Sequence, residues 1–233
     1  MNDPAAPKSS TALAPAPWDL AGQGYIFALW MPQDVLDHRS FVPPQTPRAG
    51  RGRLAFAMYV DYANSDVGPY HELLYIPGKL RFAPDDARLS ITRIFVSSEA
   101  SVLNGRLNWG IPKDRCDFDV RYGEKSDHVE LRGDDGRAFA ELDIEPFGPR
   151  LPAPMKWTPR AWRTLSQVRE GSRFTYVPQA SGRFRLARVR SWRFDASMFP
   201  DLARGRVLAA MKITDFHMRF PVAAVSPFEP LSR

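Results

Sequence analysis

Large apolar residues alternate with smaller or polar ones over much of the chain. Between residues 53 and 62 every second position is large and apolar, and residues 183–194 alternate in a similar way. A period of two is typical of a strand with one buried face. Alternation and compact apolar runs predict further strands at residues 24–31, 70–76, 90–96, 115–122, 128–132, 137–145, 173–177 and 206–220.

Helices are predicted to be few and short. Pro32 can open one helix, because proline is tolerated in the first helical turn. Ser98 can cap a second helix over residues 99–107, which must end before Pro112 because the residue before a proline avoids helical geometry. A third is expected within residues 158–168. Strands outnumber helices and do not alternate regularly with them, so we predict a mainly β fold, an antiparallel barrel or strongly curved sheet with a few short helices.

Length and composition are those of one domain. The chain has 233 residues, 44% of them hydrophobic, which is enough for a sizeable core. Residues 1–17 are rich in alanine, proline and serine, and we predict that they form a disordered tail. The single domain is then expected to span residues 18–233.

Cysteine content and hydropathy bear on the compartment. The one cysteine, Cys116, cannot form an intrachain disulfide, which favours a reducing environment. No apolar run approaches the roughly 18 residues of a membrane-spanning helix. The first residues also lack the basic and apolar segments of a secretory signal. We therefore expect a cytoplasmic protein without a membrane partner.

The chain is basic, with a formal net charge of +6 and a pI near 9.7. The densest basic stretch, residues 183–193, contains five arginines interleaved with apolar residues. This pattern is typical of a strand with one solvated face. Binding to nucleic acid through this strand is a weaker alternative, so no nucleic acid is expected as a partner.

Common metal and nucleotide motifs are absent from the sequence. No GxGxxG motif follows a predicted strand, and neither a P-loop nor a GxSxG motif occurs. No metal-site spacing links the histidines, which are His38, His71, His128 and His217. We therefore expect no metal site.

Two segments stand out: residues 68–72 read Gly-Pro-Tyr-His-Glu, and residues 105–113 read Gly-Arg-Leu-Asn-Trp-Gly-Ile-Pro-Lys. Together they resemble the acetoacetate decarboxylase superfamily. In that family a Tyr-x-Glu strand precedes Gly-Arg-Glu, four further residues and Pro-Lys-Lys. Tyr70 and Glu72 match the first element, and Gly105 and Arg106 match the second. Pro112 and Lys113 match the third at the same four-residue gap. The likeness extends from about Trp18 to about residue 220 and is weak after residue 150.

The resemblance implies a cone-like β barrel with an internal pocket into which Lys113 projects. In the family this lysine forms a Schiff base with a keto acid, and no metal or organic cofactor is needed. Acetoacetate decarboxylase is itself the standard example of a lysine activated by desolvation or a neighbouring cation. We accordingly expect burial to lower the pKa of Lys113, with an apolar setting supplied by Leu103, Leu107, Trp109 and Ile111.

Other site residues follow from the same resemblance. Glu72 is predicted to act with Lys113 in catalysis, relaying protons or orienting the substrate. Arg106 is expected either to bind an anionic substrate or to pair with Glu72 or Glu99. The remaining substrate-binding candidates, in the pocket wall, are Tyr70, Trp109, Tyr25 and Gln23.

Four positions differ from the family pattern. Leu107 replaces the glutamate of Gly-Arg-Glu, and Asp114 replaces the second lysine of Pro-Lys-Lys. An aspartate facing the pocket would stabilise the ammonium form of Lys113, but neighbours on a strand point to opposite faces. The family's arginine on the first strand aligns with Gln23, and its acid on the second strand aligns with Ala57. Acetoacetate is therefore not expected to be the substrate.

The sequence leads to two main hypotheses. The first is a lysine Schiff-base lyase acting on a small keto acid, as a decarboxylase or a related carbon–carbon lyase or dehydratase. The alternative is a non-catalytic protein that keeps the fold and binds a keto acid or another small carbonyl compound. The family often assembles into oligomers, so a homo-oligomer is expected, with the apolar residues of 220–231 as a contact surface.

Overall fold

Two mainly antiparallel sheets make up most of the structure, a computed structural model that describes residues 12–152 and 159–230. The strands within these residues are β1 (Trp18–Trp30), β2 (Leu54–Asn64), β3 (Tyr70–Ile76), β4 (Lys79–Ala83), β5 (Asp86–Leu89), β6 (Arg93–Val96), β7 (Lys113–Arg115), β8 (Asp117–Tyr122), β9 (Asp127–Arg132), β10 (Ala138–Pro152), β11 (Leu165–Arg169), β12 (Ser172–Tyr176), β13 (Gln179–Phe194), β14 (Arg206–Phe220) and β15 (Ala224–Pro227). The α-helices are α1 (Gln33–His38) and α2 (Glu99–Trp109), and short 3-10 helices cover Arg160–Trp162 and Leu202–Arg204.

The larger sheet curves until it nearly closes into a barrel. Its ten strands follow the order β7, β6, β3, β2, β1, β14, β13, β10, β9, β8, and a seam remains where closure is incomplete. The second sheet has the order β15, β12, β11, β5, β4. These observations confirm the predicted fold class, a mainly β protein with an antiparallel, strongly curved sheet.

The alternation along β2 divides the protein into two cores. Ala55, Ala57 and Tyr59 belong to a cluster inside the curved sheet, to which β9, β10 and β13 also contribute. The intervening residues, such as Met58 and Val60, pack on the opposite face against a second cluster that includes residues of α2, β11 and β12. Successive side chains of a strand point to opposite faces, so each residue's position in the alternation decides which core it joins.

Helix α2 forms where the sequence predicts it, and it ends four residues before Lys113. The side chain of Ser98 accepts a hydrogen bond from the amide of Ser101, which satisfies one of the unpaired donors at the helix start. The helix ends at Gly110, whose φ of 64° is left-handed and whose amide donates to carbonyls of the last turn. The chain then turns and enters β7 at Lys113.

The second sheet is largely missing from the sequence prediction. Of its five strands, only β12 matches a predicted strand, and β11 lies where a helix is expected. The helix expected within residues 158–168 is present only in part. A 3-10 helix of three residues is followed there by β11.

The predicted tail falls partly outside the described residues, which begin at residue 12. From that point the chain is held by α2. The amide of Ala14 donates to Oδ1 of Asn104 at 2.8 Å, and Nδ2 of Asn108 donates to the carbonyl of Ala14 at 2.8 Å. The packed part of the chain therefore begins before Trp18. Within the described ranges, none of the helices has the length and hydrophobicity needed to cross a membrane.

Candidate active site

Lys113 is buried at the start of β7 and its amine has three close polar neighbours. The side chain is 5% exposed. Its Nζ lies 2.9 Å from Oε2 of Glu72, 2.9 Å from Oγ of Ser101 and 3.5 Å from the hydroxyl oxygen of Tyr70. The sequence motifs predicted two of these neighbours, Glu72 and Tyr70, but not Ser101.

Strand pairing brings these groups together. Tyr70 and Glu72 are two residues apart on β3, so their side chains share one face of the sheet. Strand β3 pairs with β6, which in turn pairs in parallel with β7, where Ile94 is opposite Lys113. The lysine is therefore two strands away from the glutamate and reaches it across β6. Ser101 comes from α2, which covers this end of the sheet.

Gly105 makes room for the lysine stem. An added Cβ at this position would lie 2.7 Å from Cδ and 2.8 Å from Cε of Lys113, which is closer than real contacts allow. A larger residue in α2 would therefore displace the lysine. This contact gives a physical reason for the glycine of the Gly-Arg element at this point of the sequence.

Glu72 is equally buried and has a second partner. The hydroxyl of Tyr62 donates to Oε1 of Glu72 at 3.3 Å, and the ring of Tyr62 packs 4.6 Å from that of Tyr70. Tyr62 was not among the predicted site residues. The available signal was the alternation of β2, which places Tyr62 on the same face as Met58 and Val60.

The electrostatics of Lys113 differ from the expectation. Burial lowers the pKa of the amine and is the largest single effect, but the charge of Glu72, together with Tyr70 and the hydrogen bonds from both, outweighs it. The pKa of Lys113 therefore lies above its ordinary value, and the resting side chain is an ammonium ion at neutral pH. Burial also raises the pKa of Tyr70, to about 12, so this hydroxyl stays protonated.

A cavity of about 600 Å³ opens beside the amine. It lies between the large sheet and the second sheet, with walls from β1, β2, β3, β14, β5 and β11. Most lining residues are apolar, and the charged ones among the described residues are Glu72, Lys113 and Arg163. The reactive groups therefore occupy one part of a mainly apolar chamber.

Trp109 is part of the cavity wall. Its indole Nε1 donates to the carbonyl of Pro221 at 2.7 Å, and its ring packs edge to face on Trp18 with centroids 4.9 Å apart. Both tryptophans line the cavity and are almost completely buried. Trp109 presents its ring to the cavity and its only polar atom to the backbone.

Gln23 and the hydroxyl of Tyr25 lie on the opposite face of the sheet from Lys113. Gln23 pairs with Asp61, and its Nε2 lies 3.4 Å from that carboxylate. Tyr25 contributes to the cavity lining, but its hydroxyl donates to Asp127 at 2.6 Å and its ring belongs to the core inside the barrel. The structure therefore does not bring Gln23 or the phenol of Tyr25 to the amine.

Arg106 also lies away from the cavity. Its Nε donates to the carbonyl of Lys113 at 2.9 Å, and its Nη2 lies 2.8 Å from Oδ1 of Asp114. The second oxygen of Asp114 lies 2.5 Å from Nη1 of Arg93. Arg106 thus pairs with Asp114 and not with Glu72 or Glu99. Asp114 lies on the opposite side of β7 from the lysine side chain.

The apolar surroundings of Lys113 differ in part from those expected. Trp109 and Ile111 line the cavity. Leu107 is 55% exposed and Leu103 is 36% exposed, and both lie on the outer side of α2. The expectation for these two leucines is therefore wrong, because the helix turns its glycine and serine towards the lysine. Ala57 lies in the core inside the barrel.

Residues 12–152 and 159–230 contain no group of three or more histidine, cysteine, aspartate or glutamate side chains close enough to hold a metal ion. Cys116 is buried, and burial raises the pKa of its thiol above the ordinary value. A buried thiol with a raised pKa is a poor nucleophile. The reactive candidates at the cavity are therefore Lys113 and Glu72.

Comparison of the sequence finds no matching family model and no matching curated protein. Comparison of the structure finds clear similarity to solved proteins. An acetoacetate decarboxylase from Legionella pneumophila superposes with a TM-score of 0.68 at 11% identity, over 96% of this chain and 92% of the other. An acetoacetate decarboxylase-like enzyme from Sphingomonas wittichii gives 0.67 at 11% identity, over 98% and 99% of the two chains.

A third similar structure is the enduracididine biosynthesis enzyme MppR complexed with pyruvate. Its TM-score is 0.63 at 13% identity, over 97% of this chain and 95% of the other. These similarities cover nearly the whole described chain. The protein therefore has the acetoacetate decarboxylase fold, as the motif resemblance indicated, and it is a divergent example of that fold.

Proposed function

We propose that the protein is a lyase that forms a Schiff base between Lys113 and the carbonyl carbon of a keto acid. It would act as a decarboxylase or as a related carbon–carbon lyase or dehydratase. The observation that carries the proposal is the buried amine of Lys113, 2.9 Å from the carboxylate of Glu72, at the wall of an apolar cavity. An amine nucleophile next to a group that can take its proton is the arrangement that imine formation needs.

Imine formation starts from the ammonium form of Lys113. One proton passes to the carboxylate of Glu72, and the neutral amine adds to the carbonyl carbon, forming a carbon–nitrogen bond. A second proton moves from nitrogen to the former carbonyl oxygen. The proton held by Glu72 then reaches the same oxygen, which leaves as water, and the nitrogen lone pair completes the iminium ion.

The iminium ion is the electron sink for the next step. In a β-keto acid the bond to the carboxylate breaks, carbon dioxide leaves, and the released electron pair forms an enamine. Protonation of the enamine carbon, followed by addition of water, releases the ketone and returns the amine. The net reaction takes up one proton per carbon dioxide released, and the imine chemistry itself uses no metal or organic cofactor.

The neighbouring hydroxyl groups have positioning roles in this proposal. Ser101 and Tyr70 hold the nitrogen of Lys113 at the end of its stem, and Tyr62 holds the carboxylate of Glu72. Because Ser101 and Gly105 are four residues apart in α2, they present adjacent surfaces to the lysine. The amine is thereby fixed in one position before a substrate enters.

The structural neighbours support keto acids as the substrate class. One of them is an acetoacetate decarboxylase, and another was solved with pyruvate. We do not propose acetoacetate itself as the substrate. Gln23 aligns with the family's arginine on the first strand and Ala57 with its acid on the second strand, and both residues lie on the other face of the sheet from Lys113.

A second candidate function is binding without turnover. The observation that favours it is the raised pKa of Lys113, because an ammonium ion held by three polar neighbours is not a nucleophile. In that case the cavity would bind a carbonyl compound reversibly. The lyase proposal requires that a bound substrate triggers the transfer of the ammonium proton to Glu72.

Turnover in heavy-oxygen water separates the two functions. The protein is mixed with a panel of β-keto acids, and the ketone and carbon dioxide are analysed by mass spectrometry. Every turnover through an imine places a solvent oxygen in the ketone, so labelled ketone formed at the rate of carbon dioxide release supports the proposal. Lys113→Met should abolish the accelerated reaction.

Lys212→Met is the matched control for this assay. Lys212 is also mostly buried beside a carboxylate, that of Asp127 at 2.5 Å, but it does not line the cavity. The Lys212→Met variant should retain turnover. Binding of keto acids without accelerated release of carbon dioxide or any other cleavage would overturn the lyase proposal in favour of the binding protein.

A further inference from the structure

We infer that the substrate carbonyl carries a long aliphatic chain or an aromatic group, which occupies the apolar cavity next to Lys113. This inference rests on the proposed function and specifies its substrate class. It comes from the size, direction and lining of the cavity. None of these is explained by a keto acid as small as acetoacetate or pyruvate.

The cavity is large for such small substrates. Its volume of about 600 Å³ lies in the middle of the range of roughly 300–1,000 Å³ that holds drug-sized ligands. A short keto acid would leave most of this volume empty. Small-molecule sites usually enclose most of the ligand's surface, so the cavity indicates a larger partner.

The cavity extends along the strands and away from the reactive groups. Val60 is paired with Glu72 across β2 and β3, and the next pairs on the same face join Met58 to Leu74 and then Phe56 to Ile76. All of these residues line the cavity. Four residues of extended strand correspond to about 13 Å, so the apolar surface continues well beyond the site of imine formation.

The chemistry of the walls is uniform along this path. Beyond Glu72 the side chains that β2 and β3 turn to this part of the cavity are all apolar, and the second sheet adds Leu89 and Leu165. A polar substituent here would lose its hydration without finding a partner, which costs free energy. Binding of an alkyl or aryl group is favourable instead, because apolar surface of both the ligand and the cavity wall is removed from water.

Two series of ligands test the inference. Methyl ketones from acetone to 2-nonanone report binding, through the fluorescence of Trp18 and Trp109, which line the cavity. The β-keto acids acetoacetate, 3-oxohexanoate and 3-oxodecanoate report turnover. Affinity and kcat/KM should rise by about fourfold per added methylene until the cavity is filled. Equal values for short and long members, or a decline with length, would overturn the inference.

A variant in the wall gives the matched test. Met58 faces the cavity between the reactive end and Phe56. Met58→Trp should weaken long-chain ligands by about tenfold or more while leaving the short ones within about twofold. Met58→Leu, which nearly conserves volume, should keep the wild-type preference. An unchanged preference for long-chain ligands in Met58→Trp would contradict the placement of the ligand's alkyl chain in this part of the cavity.

Lys113→Met distinguishes failure of this inference from failure of the proposed function. In that variant the rise of ketone affinity with chain length should persist although no imine can form. If the wild-type protein also forms no imine but keeps the chain-length dependence, the lyase proposal fails and the apolar ligand class stands. If imines form equally with all chain lengths, the proposed function stands and the inference fails.

Discussion

The nitrogen of Lys113 lies 2.9 Å from Oε2 of Glu72, and each side chain is only 5% exposed. Because neither charge is hydrated by bulk water, each depends on the other for stabilisation. The pair therefore couples two properties of the protein, the protonation state of the amine and the stability of the fold. Both can be measured with single substitutions.

Glu72→Gln should lower the pKa of Lys113. In the wild-type protein burial acts to lower this pKa, but the charge of Glu72 is the main effect that opposes burial, and the net pKa is raised. Removing the charge of Glu72 therefore leaves the effect of burial largely uncompensated. The rate of borohydride trapping with acetone, followed from pH 7 to pH 10, should still be rising at pH 10 in the wild-type protein, because the pKa of Lys113 lies above its ordinary value. In the variant the midpoint of this rise should move to lower pH. An unchanged or higher midpoint would contradict the assignment of Glu72 as the cause.

Lys113→Met should destabilise the protein by about 3–5 kcal/mol, because it leaves the carboxylate of Glu72 buried without its partner. The double variant Lys113→Met/Glu72→Leu removes both charges and should recover most of this loss. Urea denaturation at neutral pH measures both free energies of unfolding. Additive losses in the double variant would show that the two side chains do not interact energetically.

Gly105→Ala should impair imine formation more than it affects the fold. The new methyl group would lie within 2.8 Å of the lysine stem and push the amine away from Glu72. Alanine also favours a helix over glycine by about 1 kcal/mol, which offsets part of the strain. We expect the trapping rate to fall by about tenfold or more. Gly52→Ala, where an added Cβ meets nothing, is the control and should trap normally.

Stability should fall steeply as pH rises above 10.0, the ordinary tyrosine pKa. Burial raises the pKa of all seven tyrosines, which are Tyr25, Tyr59, Tyr62, Tyr70, Tyr75, Tyr122 and Tyr176. The folded state then keeps protons that the unfolded state releases, so stability present below pH 10.0 is lost above it. Each of the six buried tyrosines contributes about 1.4 kcal/mol per pH unit, whereas Tyr122, which is 44% exposed, contributes less.

Ultraviolet absorbance of tyrosinate and circular dichroism, recorded on the same alkaline titration, check this prediction. The two signals should change together, because the phenols ionise only when the protein unfolds. Lys113 acts in the same direction, since its folded-state pKa is also raised and its stabilising contribution is lost as pH rises through that value. Ionisation of most tyrosines near pH 10.0 in a folded protein would contradict the prediction.

The sequence predicts the elements that position the site, but not every residue within it. Alternation locates β2 and β3, and the Ser98 cap and Gly110 define α2, so the segments that carry Glu72 and Lys113 are known before the structure. Their meeting across β6 could be inferred only from the family motifs. Periodicity says which face a residue takes and not which strands become neighbours.

Residues on β1 show why the remaining assignments could not be made from sequence. The register of this strand shifts between Ala21 and Gly22 in one ladder and between Gly22 and Gly24 in the other. A shift of one residue exchanges the two faces of a strand. The sequence could therefore not determine whether Gln23 and Tyr25 face the lysine or the barrel core.

Ser101 and the second sheet were missed for different reasons. Ser101 is one helical turn before Gly105 and lies on the same side of α2, facing Lys113. This position could not be predicted, because the sequence does not say which side of α2 faces the sheet. The second sheet consists of strands of four or five residues, over which a period of two gives only a weak signal, and of these strands only β12 matches a prediction. Yet this sheet closes the cavity, so the size of the chamber could not be predicted.

The most direct test of the central claim is the intact mass of the protein after incubation with a carbonyl compound and reduction with borohydride. A β-keto acid or methyl ketone with a long apolar chain is the preferred ligand. The account predicts one added ligand per chain, mapped by peptide mass to Lys113, retained in Lys212→Met and absent from Lys113→Met. Folded wild-type protein that binds such ligands but never gains mass would contradict the claim that Lys113 forms a Schiff base.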